Sequence, residues 1–98
     1  MADKAITVIA KIVAKEDKME EVQTELQALI EPTRKEEGCL DYILHRHTEN
    51  PAIFLFYENW ASKQDLENHL QKPHLQAFAA KADTLLAEPL DVQIFQKI

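Results

Sequence analysis

Hydrophobic and polar positions follow two different periods along the first third of the chain. Residues 5–14, AITVIAKIVA, are rich in β-branched side chains and partly apolar on both faces, which predicts a strand covered on both sides. After it, apolar residues recur at helical spacing and predict an amphipathic helix with one buried stripe: Met19, Val22, Leu26, Leu29, Ile30 and Thr33. Asp17 with Glu20 has the pattern of a capping box, and Pro32 should kink the helix. Gly38, the only glycine, predicts a left-handed residue that ends it.

The remaining pattern predicts a hairpin, two short helices and a final strand. Two strand-like runs, residues 40–48 and 53–60, are separated by Glu49-Asn50-Pro51-Ala52, which suits a short hairpin loop. Ser62 with Asp65 repeats the capping-box pattern, and the helix behind it carries an inward face of Leu66, His69 and Leu70. Pro73 suits the first turn of another helix, with an apolar stripe at Leu75, Phe78, Ala79, Ala82 and Leu86. Residues 90–98 alternate and predict a half-buried strand.

This order of elements, β-α-β-β-α-β, predicts an α+β fold of the ferredoxin-like plait, with an antiparallel sheet and helices on one face. Ninety-eight residues make one domain, 1–98, with a core at about residues 5–97. The run IFLFYENW at residues 53–60 is apolar on both faces, whereas helices can cover only one. We therefore expect a homodimer, in which a second copy of the chain covers the other face.

Composition and charge exclude several classes of partner. The formal net charge is −6, which argues against a nucleic-acid partner because phosphate binding needs clustered Lys and Arg. Cys39 is the only cysteine, so neither an intrachain disulfide nor a thiolate metal cluster can form. No apolar run approaches the roughly 18 residues of a membrane span, and no signal-peptide pattern is present. We predict a cytoplasmic protein with no membrane partner.

The middle of the chain carries a longer string of motifs. An E-x-G-C-L-x-Y-x-L block contains Glu37-Gly38-Cys39-Leu40 and Tyr42, Glu58-x-Trp60 ends a strand, and H-x-x-x-P-H runs from His69 to His74. In order and spacing this string resembles the antibiotic biosynthesis monooxygenase (ABM) family. The resemblance implies a dimeric α/β-barrel with a small pocket between sheet and helices. It also implies a monooxygenase activity, because characterised members oxidise quinols or anthrone-type aromatics with no flavin or metal cofactor. Fold alone does not fix a reaction.

Cofactor-free oxygenation requires a base, a donor to the developing oxyanion and a dry aromatic pocket. His69 is the first candidate for the base because it lies on the apolar face of its helix; a core histidine bonded to Glu58 or to backbone is the alternative. His74 is a second candidate, or else a histidine that packs at a helix start. Glu58 needs a partner, either His69 or the indole of Trp60, and would orient the histidine.

Other residues are candidates for the pocket wall or for a metal. Trp60, Tyr42 and Phe78 are predicted to form the substrate pocket, and Asn59 is a possible oxyanion donor or a dimer-interface residue. His45 and His47 share a strand face, but exposed histidines near a hairpin are common, so we predict no metal site. The charged runs Glu20-Glu21 and Lys35-Glu36-Glu37 are interpreted as solvated helix faces.

Departures from related plaits narrow the hypotheses. Haem-degrading relatives use an axial helix histidine, a tryptophan and a strand asparagine, and the corresponding places here hold Ala79, His69 and a residue near Lys11. Haem degradation is therefore disfavoured. The leading hypothesis is a cofactor-independent monooxygenase that oxidises a small quinol or another electron-rich aromatic. The alternatives are an isomerase of a small, phosphorylated signalling metabolite and a non-catalytic ligand-binding dimer.

Overall fold

A computed structural model of the chain describes residues 4–98. Seven helices and strands follow one another in the order β1 (Ile6–Val13), α1 (Met19–Arg34), β2 (Cys39–Arg46), β3 (Ile53–Trp60), α2 (Lys63–Leu70), α3 (Pro73–Leu85) and β4 (Asp91–Gln96). A short 3-10 turn, Glu16–Lys18, leads into α1. The predicted order of strands and helices is confirmed, including the division of the second helical region by Pro73.

The four strands form one antiparallel sheet in the order β2-β3-β1-β4. This order is that of the ferredoxin-like plait, so the predicted fold class is confirmed. The sheet of the single chain is open, with β2 and β4 at its two edges. In β2 the register shifts between Cys39 and Asp41, where a bulge lies beside the end of β3.

The core lies between one face of the sheet and the helices. Alternate residues of β1 and β3 point into it, because side chains of a strand alternate between its faces. Helix α1 supplies the opposing stripe, and its buried residues Val22, Leu26, Leu29 and Thr33 are among those predicted. The central contacts join Val8, Ile12, Phe54 and Phe56 to this stripe.

One of the local signals for helix ends operates as predicted, and a second holds only for its backbone conformation. The Ser62 Oγ accepts a hydrogen bond from the Asp65 backbone N–H at 3.1 Å and so caps α2. Gly38 has a φ of 84°, which lies in the left-handed region, although it stands just before β2 and α1 has already ended at Arg34. The predicted capping box at Asp17 is wrong. The 3-10 turn places Lys18 at the N-cap of α1, and no side chain caps that end.

The opposite face of the sheet is exposed in the single chain. It carries Ile43, Tyr57 and Phe95, whose exposed fractions are 40%, 36% and 52%. Strand β4 is exposed along its whole length, so the prediction of a half-buried final strand does not hold for one chain by itself. The reason is that the helices pack chiefly on β2 and β3, whereas β4 packs chiefly on β1 at the edge of the sheet. Separately, no helix within residues 4–98 is long and apolar enough to cross a bilayer.

Candidate active site

A narrow cavity of about 70 Å³ lies between the sheet and helices α1, α2 and α3. Its wall is mostly aliphatic and aromatic, and three polar side chains interrupt it, those of Tyr42, Glu58 and His69. The apolar part of the wall consists of Val8, Ala10, Ile12, Leu26, Leu29, Phe56, Leu66, Leu70, Leu75, Phe78, Leu90 and Val92. An apolar cavity with a few converging polar groups is the usual form of a small-molecule site.

His69 lies in the last turn of α2, with only 2% of its surface exposed. Its Nδ1 is 3.0 and 3.2 Å from the two carboxylate oxygens of Glu36. Burial lowers the pKa of His69, and the hydrogen bond to Glu36 opposes that effect only in part. The ring is therefore neutral near neutral pH. An Nδ1–H that donates to Glu36 leaves Nε2 with a free lone pair.

Glu36 joins both histidines of the H-x-x-x-P-H motif. Its Oε2 lies 2.7 Å from His74 Nε2, and its side chain is only 6% exposed. The interpretation of Glu36 as part of a solvated helix face is therefore wrong. The residue lies in the connection between α1 and β2, where side chains of α2 and α3 contact it. The periodicity of α1 gave no signal of this, because both partners lie more than 30 residues further along the chain.

Glu58 is paired with Trp60 rather than with His69. The Trp60 Nε1–H donates a hydrogen bond of 2.8 Å to Glu58 Oε1, two residues earlier on the same face of β3. Burial raises the pKa of Glu58 to about 7, the indole hydrogen bond lowers it in part, and the Glu36 carboxylate adds a smaller upward effect. Glu58 lines the cavity directly, so its carboxyl borders the space in which a ligand would bind.

Tyr42 and Phe78 also line the cavity, as the sequence predicted. The Tyr42 ring stacks on Phe56 at a centroid distance of 4.2 Å and meets His69 edge-on at 5.6 Å. Burial, with the negative charge of Glu58 second, raises the pKa of the Tyr42 hydroxyl far above its ordinary value. The hydroxyl therefore stays protonated and can act as a hydrogen-bond donor.

Three of the predicted site residues do not line this cavity. Trp60 is fully buried behind His69, and its ring centroid lies 4.5 Å from that of the imidazole, so it supports the histidine from outside the cavity. Asn59 points to the other face of the sheet, where it accepts from Thr7 at 2.6 Å and donates to Asp41 at 3.0 Å. The prediction of Asn59 as a pocket residue is wrong, since neighbouring residues of a strand face opposite sides.

His74, the third of these, lies outside the cavity in the first turn of α3, and 23% of its side chain is exposed. It reaches the site only through Glu36. The three side chains thus form a continuous chain from the cavity wall at His69 to the surface at His74.

The remaining candidates lie elsewhere. His45 and His47 are exposed at the end of β2 and in the hairpin loop, and His47 Nδ1 accepts backbone N–H groups of Glu49 and Asn50 at 3.1 Å each. Cys39 is half-buried, and burial together with the charges of Glu36 and Glu58 raises the pKa of its thiol to about 11. Its thiol is therefore protonated at neutral pH and is a poor nucleophile.

Known proteins resemble this chain over most of its length. The model of the family described as "Antibiotic biosynthesis monooxygenase" matches residues 5–81. A Bacillus subtilis protein named "Putative monooxygenase YcnE" is 36% identical over 87 residues, which are 89% of this chain and 92% of that protein. The "Uncharacterized protein sll1783" of Synechocystis is 37% identical over 95 residues, 97% of this chain, and the match spans 65% of that protein's length.

The fold has equally close counterparts among solved structures. The crystal structure of PA3566 from Pseudomonas aeruginosa superposes with a TM-score of 0.93 and 30% identity, covering 100% of this chain and 98% of that one. The family match spans well over half of the 98 residues, and it includes every residue of the cavity wall except those around β4. The chain belongs to the antibiotic biosynthesis monooxygenase family.

Proposed function

We propose that this protein is a cofactor-independent monooxygenase that oxidises a small quinol or a related electron-rich aromatic with O2. One observation carries the proposal: a buried, neutral His69 in the wall of an apolar cavity, fixed at Nδ1 by Glu36. The family match and the name of the Bacillus relative support a monooxygenase reaction. The apolar wall of the cavity, interrupted by a few proton-exchanging groups, supports an aromatic substrate, and the cavity of about 70 Å³ would have to open for a quinol ring to enter.

The first step would be removal of a phenolic proton by His69 Nε2. The resulting phenolate gives an electron to O2 far more readily than the phenol does. For a quinol, the balanced overall reaction converts the substrate and O2 into a hydroxyquinone and water. One oxygen atom enters the ring and the other leaves as water, so the substrate itself supplies all the electrons. No reductant or metal has to be added to balance this reaction.

Glu58 would complete the acid–base pair. A pKa of about 7 keeps a large fraction of the carboxyl protonated at neutral pH, so it can donate a proton to a reduced oxygen intermediate while His69 accepts one. Tyr42, protonated and in the same wall, would donate a hydrogen bond to the developing phenolate. The aliphatic remainder of the wall would exclude water from these charges.

The functional unit would be a homodimer. The sheet face with Ile43, Tyr57 and Phe95 is apolar and exposed, and β4 is uncovered on both faces. Val92 of β4 and the preceding Leu90 also line the cavity, with exposed fractions of 42% and 39%. A second copy packed over this edge would therefore shield the cavity as well as the sheet.

The isomerase alternative uses the same acid–base pair and is weaker in one respect. Within residues 4–98 the cavity wall contains no Lys or Arg, whereas a phosphorylated substrate needs a cationic partner. An unphosphorylated small metabolite remains compatible with the cavity.

Oxygen consumption by the purified protein tests the proposal. A panel of benzo-, naphtho- and anthracene-derived quinols is incubated with the enzyme after exhaustive dialysis against a chelator. We expect catalysed O2 uptake and formation of a hydroxyquinone, with His69→Asn slower by roughly 10²–10⁴-fold, the usual contribution of a positioned base. His47→Ala, a surface histidine outside the site, should match wild type. Uptake no faster than that of the uncatalysed quinols would refute the proposal, and turnover without O2 would favour the isomerase.

A further inference from the structure

Glu36, His69 and His74 together make a second arrangement possible. The ligand atoms of the three side chains, one carboxylate oxygen and two imidazole nitrogens, all lie within 4.8 Å of one another. They come from three different parts of the chain: the α1–β2 connection, the last turn of α2 and the first turn of α3. We propose that this trio is a binding site for a divalent transition-metal ion such as Zn²⁺.

The donor set fits this class of ion. Two imidazoles with one carboxylate suit Zn²⁺ and its first-row neighbours, whereas Mg²⁺ and Ca²⁺ prefer oxygen ligands alone. The Glu36 Oε2 is 3.0 Å from His69 Nδ1 and 2.7 Å from His74 Nε2. Ligands about 2.1 Å from a tetrahedral Zn²⁺ are separated by about 3.4 Å, so both pairs, now at hydrogen-bond distance, would open by a few tenths of an ångström on binding. For both imidazole nitrogens to bind one ion, the two rings would also have to approach one another.

The local charge also favours a cation. The carboxylate of Glu36 is largely buried, and within residues 4–98 no Lys or Arg lies at ion-pair distance from it. Buried carboxylates are costly unless they are paired or coordinate a metal. The partly exposed His74 gives the ion an entry route from solvent.

Occupancy would have a consequence for the chemistry of the cavity, and this consequence rests on the proposed function. A neutral imidazole that binds a metal through Nδ1 carries its only proton on Nε2. The same Nε2 is the atom proposed to accept the substrate's proton. A bound metal would therefore convert His69 from a base into a donor and inhibit the oxygenase. The site is thus regulatory rather than catalytic.

Calorimetry with Zn²⁺ on tag-free protein, stripped of metal with a chelator, tests the site directly. We expect saturable binding of one ion per chain, no comparable binding of Mg²⁺, and affinity reduced at least ~10-fold in Glu36→Gln and in His74→Ala. His45→Ala and His47→Ala are matched controls and should bind as wild type does. The proposal is overturned if wild type shows no saturable Zn²⁺ binding, or if the two control variants lose it instead.

A second measurement needs only the wild-type protein and guards against variants that fail to fold. In imidazole NMR spectra, Zn²⁺ should shift the ring signals of His69 and His74 and leave those of His45 and His47 in place; the reverse pattern contradicts the proposal. Oxygen uptake separates this site from the proposed function. Zn²⁺ binding by a protein without oxygenase activity would refute the proposed function and support the metal site. Oxygenase activity in a protein that binds no Zn²⁺ would support the proposed function and refute the metal site.

Discussion

The Trp60 indole N–H donates a 2.8 Å hydrogen bond to Glu58, and the pair occupies two successive inward positions of β3. This contact favours the charged form of Glu58, while burial of the carboxyl opposes it more strongly. The balance leaves the pKa at about 7, compared with 4.5 for an unperturbed glutamate. Near neutral pH the Glu58 carboxyl is therefore present in both its protonated and its charged form.

The raised pKa of Glu58 predicts that stability depends on pH in a definite direction. Between pH 4.5 and about 7 the folded state binds more protons at this group than the unfolded state does. Stability should therefore fall as pH rises through this window and then level off, with a total effect on the order of 3 kcal/mol. Glu58→Gln removes the titrating group and should flatten this part of the profile. Urea unfolding of both proteins from pH 5 to 8 measures the difference, and parallel profiles would contradict the assignment.

Glu36→Gln should impair turnover more than substrate binding. Glu36 contacts His69 and His74 but does not line the cavity, so its loss would disturb the orientation of His69, the proposed base, and leave the wall intact. We expect kcat for oxygen uptake to fall roughly tenfold or more, with KM nearly unchanged. This loss is smaller than the contribution of the proposed base itself, because Glu36 only orients it. Glu37→Gln, at the exposed neighbouring position, is the control. A rise in KM alone would place Glu36 in substrate binding instead.

Gly38→Ala should destabilise the fold. The residue has a φ of 84°, which disfavours any side chain, and an added Cβ would collide with the Asp65 side chain in the capped first turn of α2. A loss of about 1–3 kcal/mol in the free energy of unfolding is expected, measured by urea denaturation. Combining it with Asp65→Ala removes the two shortest contacts but leaves the Cβ of residue 65 at 2.7 Å, so it should relieve the collision only in part and keep the backbone strain. A fully neutral Gly38→Ala would show that the turn relaxes without cost.

Charge placed on the open sheet face should dissociate the proposed dimer. Phe95 is 52% exposed and faces away from the helices, so Phe95→Lys costs little within one chain but would bury a charge in a dimer. Sedimentation at micromolar concentration should show dimeric wild type and a largely monomeric variant of about 11 kDa. Lys97→Ala provides a control near the same end of the chain. A wild type that sediments as a monomer would disprove the dimer.

Local sequence patterns were sufficient to predict the architecture. The stripe of α1, the cap at Ser62 and the break before Pro73 all depend on residues a few positions apart, and these patterns set the order of the elements. The inward position of His69 followed from the same periodicity. For Asn59 the sequence left a pocket role and a dimer-interface role open, and strand alternation puts it on the face opposite Trp60, which fits only the second role.

The centre of the site was harder to predict because it depends on distant contacts. Glu36 lies in a charged run after a helix, which usually points to solvent, and it becomes buried only when α2 and α3 bring His69 and His74 over it. The exposure of β4 is a related case. Its alternation predicted burial, and the layer that would provide it is absent from a single chain.

The thiol of Cys39 is partly buried near two acidic side chains, those of Glu36 and Glu58. An enzyme that activates O2 can release superoxide or peroxide whenever an intermediate escapes, and thiolates are the protein groups that such oxidants attack first. Burial and the charges of Glu36 and Glu58 hold the Cys39 pKa at about 11, so only a minute fraction of the thiol is ionised at neutral pH. If the protein has the proposed oxygenase activity, burial and these two carboxylates would protect the single sulfhydryl of the chain from oxidation by the by-products of that reaction.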